Sequence, residues 1–206
     1  YTLNYYDDYS FYGNTFGNPT GTQSTAVKSL LTGSKVNILG TATMLLTTNY
    51  YDAKGRLVQS RAQNHLNGVD ATDLVYNFQD QVISNTRTHA IGSTSTMIYL
   101  TYEYDHMGRK IKTYEKIGNA SSAQVLLSEL TYNGIGQLTA KKRNNGLNTN
   151  TFSYNERGWL TGSAAPGFLL AFNYTDGTYP QYNGNIANQQ WSTAGGPAKT
   201  YIYAYD

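Results

Sequence analysis

The side chains that most often do chemistry are few in this chain and poorly spaced for it. Its three histidines, His65, His89 and His106, stand 24 and 17 residues apart. No His or carboxylate pair has the short separation that holds a metal, and loop or turn positions explain the histidines without chemistry. Asp7, Asp8 and Asp52 would be the calcium ligands, but no D-x-[DN]-x-[DN]-G loop or nonapeptide calcium repeat surrounds them. A glycosidase needs two facing carboxylates; with 13 Asp and Glu in all, several of them at turns, no pair is singled out. There is no Gly-x-Ser-x-Gly elbow and no phosphate-cradling glycine loop. Lys141-Lys142-Arg143 follows a turn directly and reads as a solvated strand edge or outer face. Asn119-Ala120-Ser121 and Asn173-Tyr174-Thr175 match the glycosylation pattern by composition alone. The expectation is a chain that is not an enzyme, with no catalytic, cofactor or metal-binding residue.

Twenty tyrosines are the strongest chemical signal. Exposed aromatic faces hold sugars, and Tyr99, Tyr102, Tyr104, Tyr174, Tyr179 and Tyr182 would make such a platform, the competing reading being a binding module at the cell surface for carbohydrate or a partner protein. Against that reading stands the recurrence of tyrosine at a single motif position, which makes wall packing the simpler explanation.

The motif is visible when the chain is slid along itself. Tyr51, Asp52, Gly55, Arg56 and Leu57 recur as Tyr104, Asp105, Gly108, Arg109 and Ile111. They recur again as Tyr132, Asn133, Gly136, Gln137 and Leu138, and as Tyr154, Asn155, Gly158, Trp159 and Leu160. A weaker copy keeps Tyr76, Asn77 and Val82 but has Asp80 in the glycine slot, so its turn is expected to differ. Another keeps Tyr182 and Asn183 with a shortened turn, and Tyr205-Asp206 begins a seventh. The tyrosines are 25, 28, 28, 22, 28 and 23 residues apart, which suits a fixed hairpin joined by loops of changing length.

Each position has a physical reason. Alternation before the pair, as in Tyr102 and Tyr104, marks a half-buried strand. Asp or Asn at the turn entrance accepts backbone N–H groups two residues on. Glycine supplies the positive φ that closes a short hairpin with a bulge. Tyrosine lays its ring on a neighbour and keeps its hydroxyl at the wet rim. One hairpin is marginal alone in water, whereas a stack is not.

Bulk properties agree. The 206 residues are long enough for one large all-β domain or two small ones, and for a sizeable core. Charged residues are 14%, below the roughly 25% of an average domain, while 26 threonines and the tyrosines favour strands. A net charge of +2 marks no nucleic-acid surface. The absence of cysteine excludes disulfides and thiolate metal sites. No apolar run approaches a membrane span, and no signal peptide is visible. Starting and ending inside its own pattern, the chain is expected to be a piece of something longer.

The motif resembles the YD repeat of Rhs (rearrangement hotspot) proteins of the bacterial polymorphic-toxin type, of which teneurins are the animal relatives. Tyr51-Asp52 through Leu57 matches the consensus fully and Tyr104-Asp105 through Arg109 nearly so; the other copies depart at Asp, Gly or Arg. The resemblance implies an all-β curved strip of antiparallel β-hairpins, one segment of a shell that encloses a C-terminal toxin or cargo domain of the same parent chain, secreted or at the cell surface. Residues 1–49 are read as lead-in strands and a loop, with a short helical turn inside 17–35 and two strands around Gly40. Residues 50–206 are read as the continuous array. The open strand ends are expected to pair with a neighbouring chain, giving self-association, or to be blunted by loops.

Overall fold

In the computed structural model, which describes residues 1–119 and 121–206, strands dominate and no α-helix occurs among the described residues. The alternation of β-branched, aromatic and polar side chains is read out as antiparallel strands joined by tight tips. The chain divides into two compact units.

The first unit comprises Tyr1–Glu103 and Tyr114–Gln124. It holds β1 (Thr2–Asp7), β2 (Val27–Asn37), β3 (Met44–Tyr51), β4 (Leu57–Gln63), β5 (Val69–Tyr76), β6 (Val82–Ile91) and β7 (Thr94–Tyr104, to its penultimate residue), with residues 114–117 of β8 (Lys110–Ile117). From β1 to β7 each strand pairs antiparallel with its sequence neighbour. The second unit comprises Tyr104–Thr113 and Val125–Asp206. Here β9 (Val125–Tyr132), β10 (Leu138–Arg143), β11 (Asn148–Tyr154), β12 (Leu160–Ala165), β13 (Phe168–Asn173), β14 (Asn188–Thr193) and β15 (Lys199–Ile202) follow one another in the same way. A register shift sits at the end of β3, β5 and β11, one residue before the motif tyrosine. This is the bulge that a type I turn closed by a positive-φ residue demands.

Most strand residues are half-buried, as befits a sheet one layer thick. Full burial is confined to a few positions, among them Tyr9, Val27, Leu46 and Tyr50 with Thr32 and Thr48. The core is therefore much smaller than the chain length allows. It exists in the first unit because residues 8–26, which join β1 to β2, fold back over one face of the sheet. Tyr9 stacks on Tyr50, and Phe16, Leu30 and Tyr51 close around them. Phe11 stacks on Tyr5 with centroids 4.5 Å apart and lies against Gly33, where a Cβ would meet the tip of its ring at 2.3 Å. Asn14 ties the loop by donating to the carbonyls of Tyr9 and Gly17. No helical turn forms within 17–35: the first part is this loop and the rest is β2. Gly40, at φ 78°, turns β2 into β3 as expected.

Candidate functional site

The motif residues gather at the hairpin tips, where they build one lock repeatedly. In the first copy the Asp52 N–H donates to the Arg56 carbonyl and the Gly55 N–H to the Asp52 carbonyl, each at 3.0 Å. Oδ1 of Asp52 accepts the N–H groups of Lys54 and Arg56 at 2.9 and 3.0 Å. The same four bonds recur from Asp105 to Arg109, Asn133 to Gln137 and Asn155 to Trp159. They also recur from Asn77 to Gln81. That turn was expected to differ because Asp80 fills the glycine slot. It does not differ, because Asp80 adopts φ 62°, a conformation that short polar side chains reach at modest cost.

The entrance residue also chooses its partner at the exit, four residues on. Asp52 takes the Arg56 Nε at 2.7 Å and Asp105 takes the Arg109 Nε at 2.7 Å. At two of the asparagine entrances the exit is glutamine: Asn77 Nδ2 donates to Gln81 Oε1 at 2.7 Å, and Asn133 Nδ2 to Gln137 Oε1 at 2.7 Å, whereas Asn155 exits at Trp159. A carboxylate needs a cation, and an amide is satisfied by an amide. Burial pushes the Asp52 carboxyl up, but the bonds from Arg56 and from the Lys54 N–H outweigh it and hold its pKa below the ordinary value. For Asp105 burial likewise pushes up, and the Arg109 and Met107 bonds win.

The exit residue then reaches the next copy. The Arg56 guanidinium lies 4.7 Å from the Tyr76 ring centroid, and Arg109 lies 4.4 Å from that of Tyr132. Trp159 fills this role for Tyr174 at 5.0 Å. Each such residue also lies against the next glycine: a Cβ on Gly136 would be 3.3 Å from Arg109, one on Gly158 3.2 Å from Gln137, and one on Gly184 3.4 Å from Trp159. Asp80 stands at the equivalent place before Arg56 and reaches back to it and to Lys54, the latter at 3.2 Å. The exception is therefore matched by its neighbours. In the other direction, five tyrosines of the ladder donate to the carbonyl of an aliphatic residue earlier in the chain. The pairs are Tyr51 to Leu31, Tyr76 to Leu57, Tyr154 to Leu138, Tyr174 to Leu160 and Tyr205 to Ile186, at 2.8–3.0 Å.

This ladder re-registers the sixth copy. Tyr174, not Tyr182, holds the tyrosine position; Gly184 and Ile186 hold the glycine and aliphatic positions. Residues 175–180 are an insertion between Tyr174 and Gln181, whose N–H donates to the Tyr174 carbonyl at 2.7 Å. The tip is lengthened, not shortened. Tyr182 is exposed, its carbonyl accepting from Arg157, while Asn183 accepts the Asn185 N–H. Asp206 follows the last ladder tyrosine as the final residue. One further lock escaped the sequence reading. Asn64 to Gly68 makes the same four bonds at the opposite end of the β4–β5 hairpin. It carries no tyrosine, and its positive-φ residue is Asn67. Gly68 fills the exit slot because a Cβ there would lie 1.9 Å from the Ala90 carbonyl.

The remaining candidates are absorbed by structure. Asp7 accepts the Ser29 N–H and Asp8 caps Ser10. His89 lies on β6, not in a loop, with Nδ1 against Asp70. Lys142 pairs with Glu129 at 3.0 Å on β10, inside the second unit and not at an edge. The Asn119 sequon includes residue 120, which lies outside the described residues. Among the described residues no cluster of three His, Cys, Asp or Glu side chains is placed to hold a metal, and no helix is long and apolar enough to cross a membrane.

Fold and tips together define a strip of Tyr-Asp hairpin repeats. No family model matches the chain, and no curated protein sequence does. Among solved structures it is similar, over 84% of its length at 12% identity and a TM-score of 0.48, to a chain in the crystal structure of TcdB2-TccC3-Cdc42. Over 87% at 13% identity and a TM-score of 0.46, it is similar to a chain in a structure of the Photorhabdus luminescens Tc holotoxin pore with a TccC3 mutation. It spans 11% of the length of each.

Proposed function

We propose that the chain is a non-catalytic wall segment of a larger Rhs-type protein, whose stacked hairpins enclose a C-terminal toxin or cargo domain of the same polypeptide outside the cell or at its surface. The observation that supports this is the ladder. The tips are bonded to themselves, Arg56, Arg109 and Trp159 reach a ring of the next copy, and Tyr51, Tyr76, Tyr154, Tyr174 and Tyr205 bond a carbonyl of an earlier one, so these motif residues are engaged in holding repeats in register. A sheet built this way can extend by repetition with each repeat contacting only its neighbours. Electron microscopy of the intact parent protein, paired with limited proteolysis, tests the reading. A hollow particle whose C-terminal region resists cleavage until the particle is opened is the expected result. A solid rod, or a C-terminal region cut as fast in the intact particle as alone, overturns it.

The sugar-platform alternative has less support. The Tyr174 ring is covered by Trp159 and that of Tyr99 by Lys116, whose Nζ is 4.8 Å from the centroid. On a glycan array we expect no reproducible signal that disappears with Tyr179→Ala or Tyr182→Ala; such a signal would favour the binding module.

A further inference from the structure

Repeat register relates two faces that the chain treats differently. In β3 and β4, Thr48 pairs with Arg61 and Tyr50 with Gln59, just before and after the first tip. In β11 and β12 the same places hold Thr151 with Ala164 and Ser153 with Gly162. The first face is covered by the 8–26 loop: Tyr9 stacks on Tyr50, Phe16 lies under Arg61 at 4.9 Å, and Gln23 donates to Gln59. Among the described residues no segment like the 8–26 loop lies over the second face, where only Ala198 of the β14–β15 connection joins the strand residues in lining it. Its side chains are small, and with Ala171, opposite Gly162, they leave a groove of about 420 Å³. None of the groove's lining residues is charged. The loop that covers the equivalent face has no charged residue from Tyr9 to Ala26 and carries Tyr9, Phe11, Tyr12 and Phe16.

We infer that the groove over Gly162, Ala164 and Ala171 seats an uncharged, aromatic-bearing polypeptide segment supplied from outside residues 1–206. The occupant follows from the chain's own precedent. This face of the repeat accepts such a segment in the first unit, where the Phe11 ring rests on a mid-strand glycine, Gly33, beside Thr48. Gly162 beside Ser153 offers a seat of the same kind, and an uncharged groove disfavours a charged guest by desolvation. Burying an aromatic side chain there would supply favourable apolar contact, and several such side chains offset the cost of association. The inference concerns one face of the repeat and does not depend on the wall reading.

The probe is a synthetic peptide of residues 9–26, titrated into the ¹⁵N-labelled chain and read by amide chemical shifts. Saturable shifts at Gly162, Ala164 and Ala171 are expected. They should weaken by about tenfold or more with Ala171→Trp, which fills the groove, and with a peptide whose four aromatic residues are replaced by serine. Unchanged amide shifts of β9 and β10, which lie in the same unit as Ala171 but away from the groove, show that the second unit of Ala171→Trp still folds. No shift by about 1 mM peptide, shifts confined to Gly33 and Thr48 where the chain's own loop is displaced, binding unaffected by Ala171→Trp, or shifts with maltohexaose but not with the peptide each overturn the inference.

Discussion

Asp105 and Arg109 are bound as acid and base across one tip, whereas Asn133 and Gln137 meet across the next as two amides. The two kinds of lock respond differently to acid. The folded pKa values of Asp52 and Asp105 lie below the ordinary carboxylate value of 3.8. Their contribution to stability is therefore complete above that value and is lost as pH falls through the lower, folded one. Hydrogen exchange between about pH 5 and pH 2 should show the Arg56 and Arg109 amides losing protection while those of Gln81 and Gln137 keep theirs. Equal loss at all four would remove the carboxylate from the explanation. The pairing is also swappable. Asp105→Asn alone should lower the melting temperature more than Asp105→Asn with Arg109→Gln, which restores the amide pair but not the cation over Tyr132. The sequence displayed the entrance residues and their role as acceptors of backbone N–H groups. It hid the pairing, because against a single consensus Gln137 looks like a departure from arginine when it is the correct partner for Asn133.

At the scale of the element, backbone geometry and contact decide together. Gly158 has φ 81°, so Gly158→Ala should cost roughly 1–2 kcal/mol in chemical denaturation through the left-handed conformation. Gly33 is needed for a different reason, the Phe11 ring upon it. Gly33→Ala should cost about 1–3 kcal/mol and make chymotrypsin cut at Phe11 and Tyr12 sooner; unchanged cleavage would show that the loop is not held there. The ladder register predicts that Tyr174→Phe loses about 1 kcal/mol with the bond to Leu160 while Tyr182→Phe loses nothing measurable; the reverse order would return the sixth copy to the alignment of tyrosine pairs. That alignment failed because Tyr182-Asn183 imitates the motif at the right distance. Strand pairing, with Asn173 opposite Asn188, fixes the register, and no local pattern reveals a six-residue insertion between a tyrosine and its turn. The strands themselves were legible from alternation. The folding of 8–26 onto a face was not, because its Gly, Asn and Thr content reads as linker and its four aromatic residues have no periodicity.

Each unit has a strand at an end of the sheet order, β1 in the first and β15 in the second. Every residue of β15 is exposed, with Tyr201 and Ile202 both more than half so. Unpaired edges of this kind recruit further strands. Sedimentation at rising concentration should reveal self-association, reduced by Ile202→Lys; a monomer at all concentrations would show that the edges are blunted. The all-β class and hairpin order were readable from the repeat, since each contact is local in sequence. The size of the core was not, since length sets only an upper limit on what can be buried.

The insertion at 175–180 leaves Trp159 on Tyr174, Tyr174 on Leu160 and Tyr205 on Ile186 undisturbed. Extra sequence at a tip thus leaves these ladder contacts in place, although the Asn188 side chain of β14 reaches the Asp176 carbonyl within it. A foreign epitope or a whole small domain grafted between Thr178 and Pro180 would be displayed from the rim of an unaltered sheet, and the same freedom offers a route by which such repeats acquire new surface features without being rebuilt.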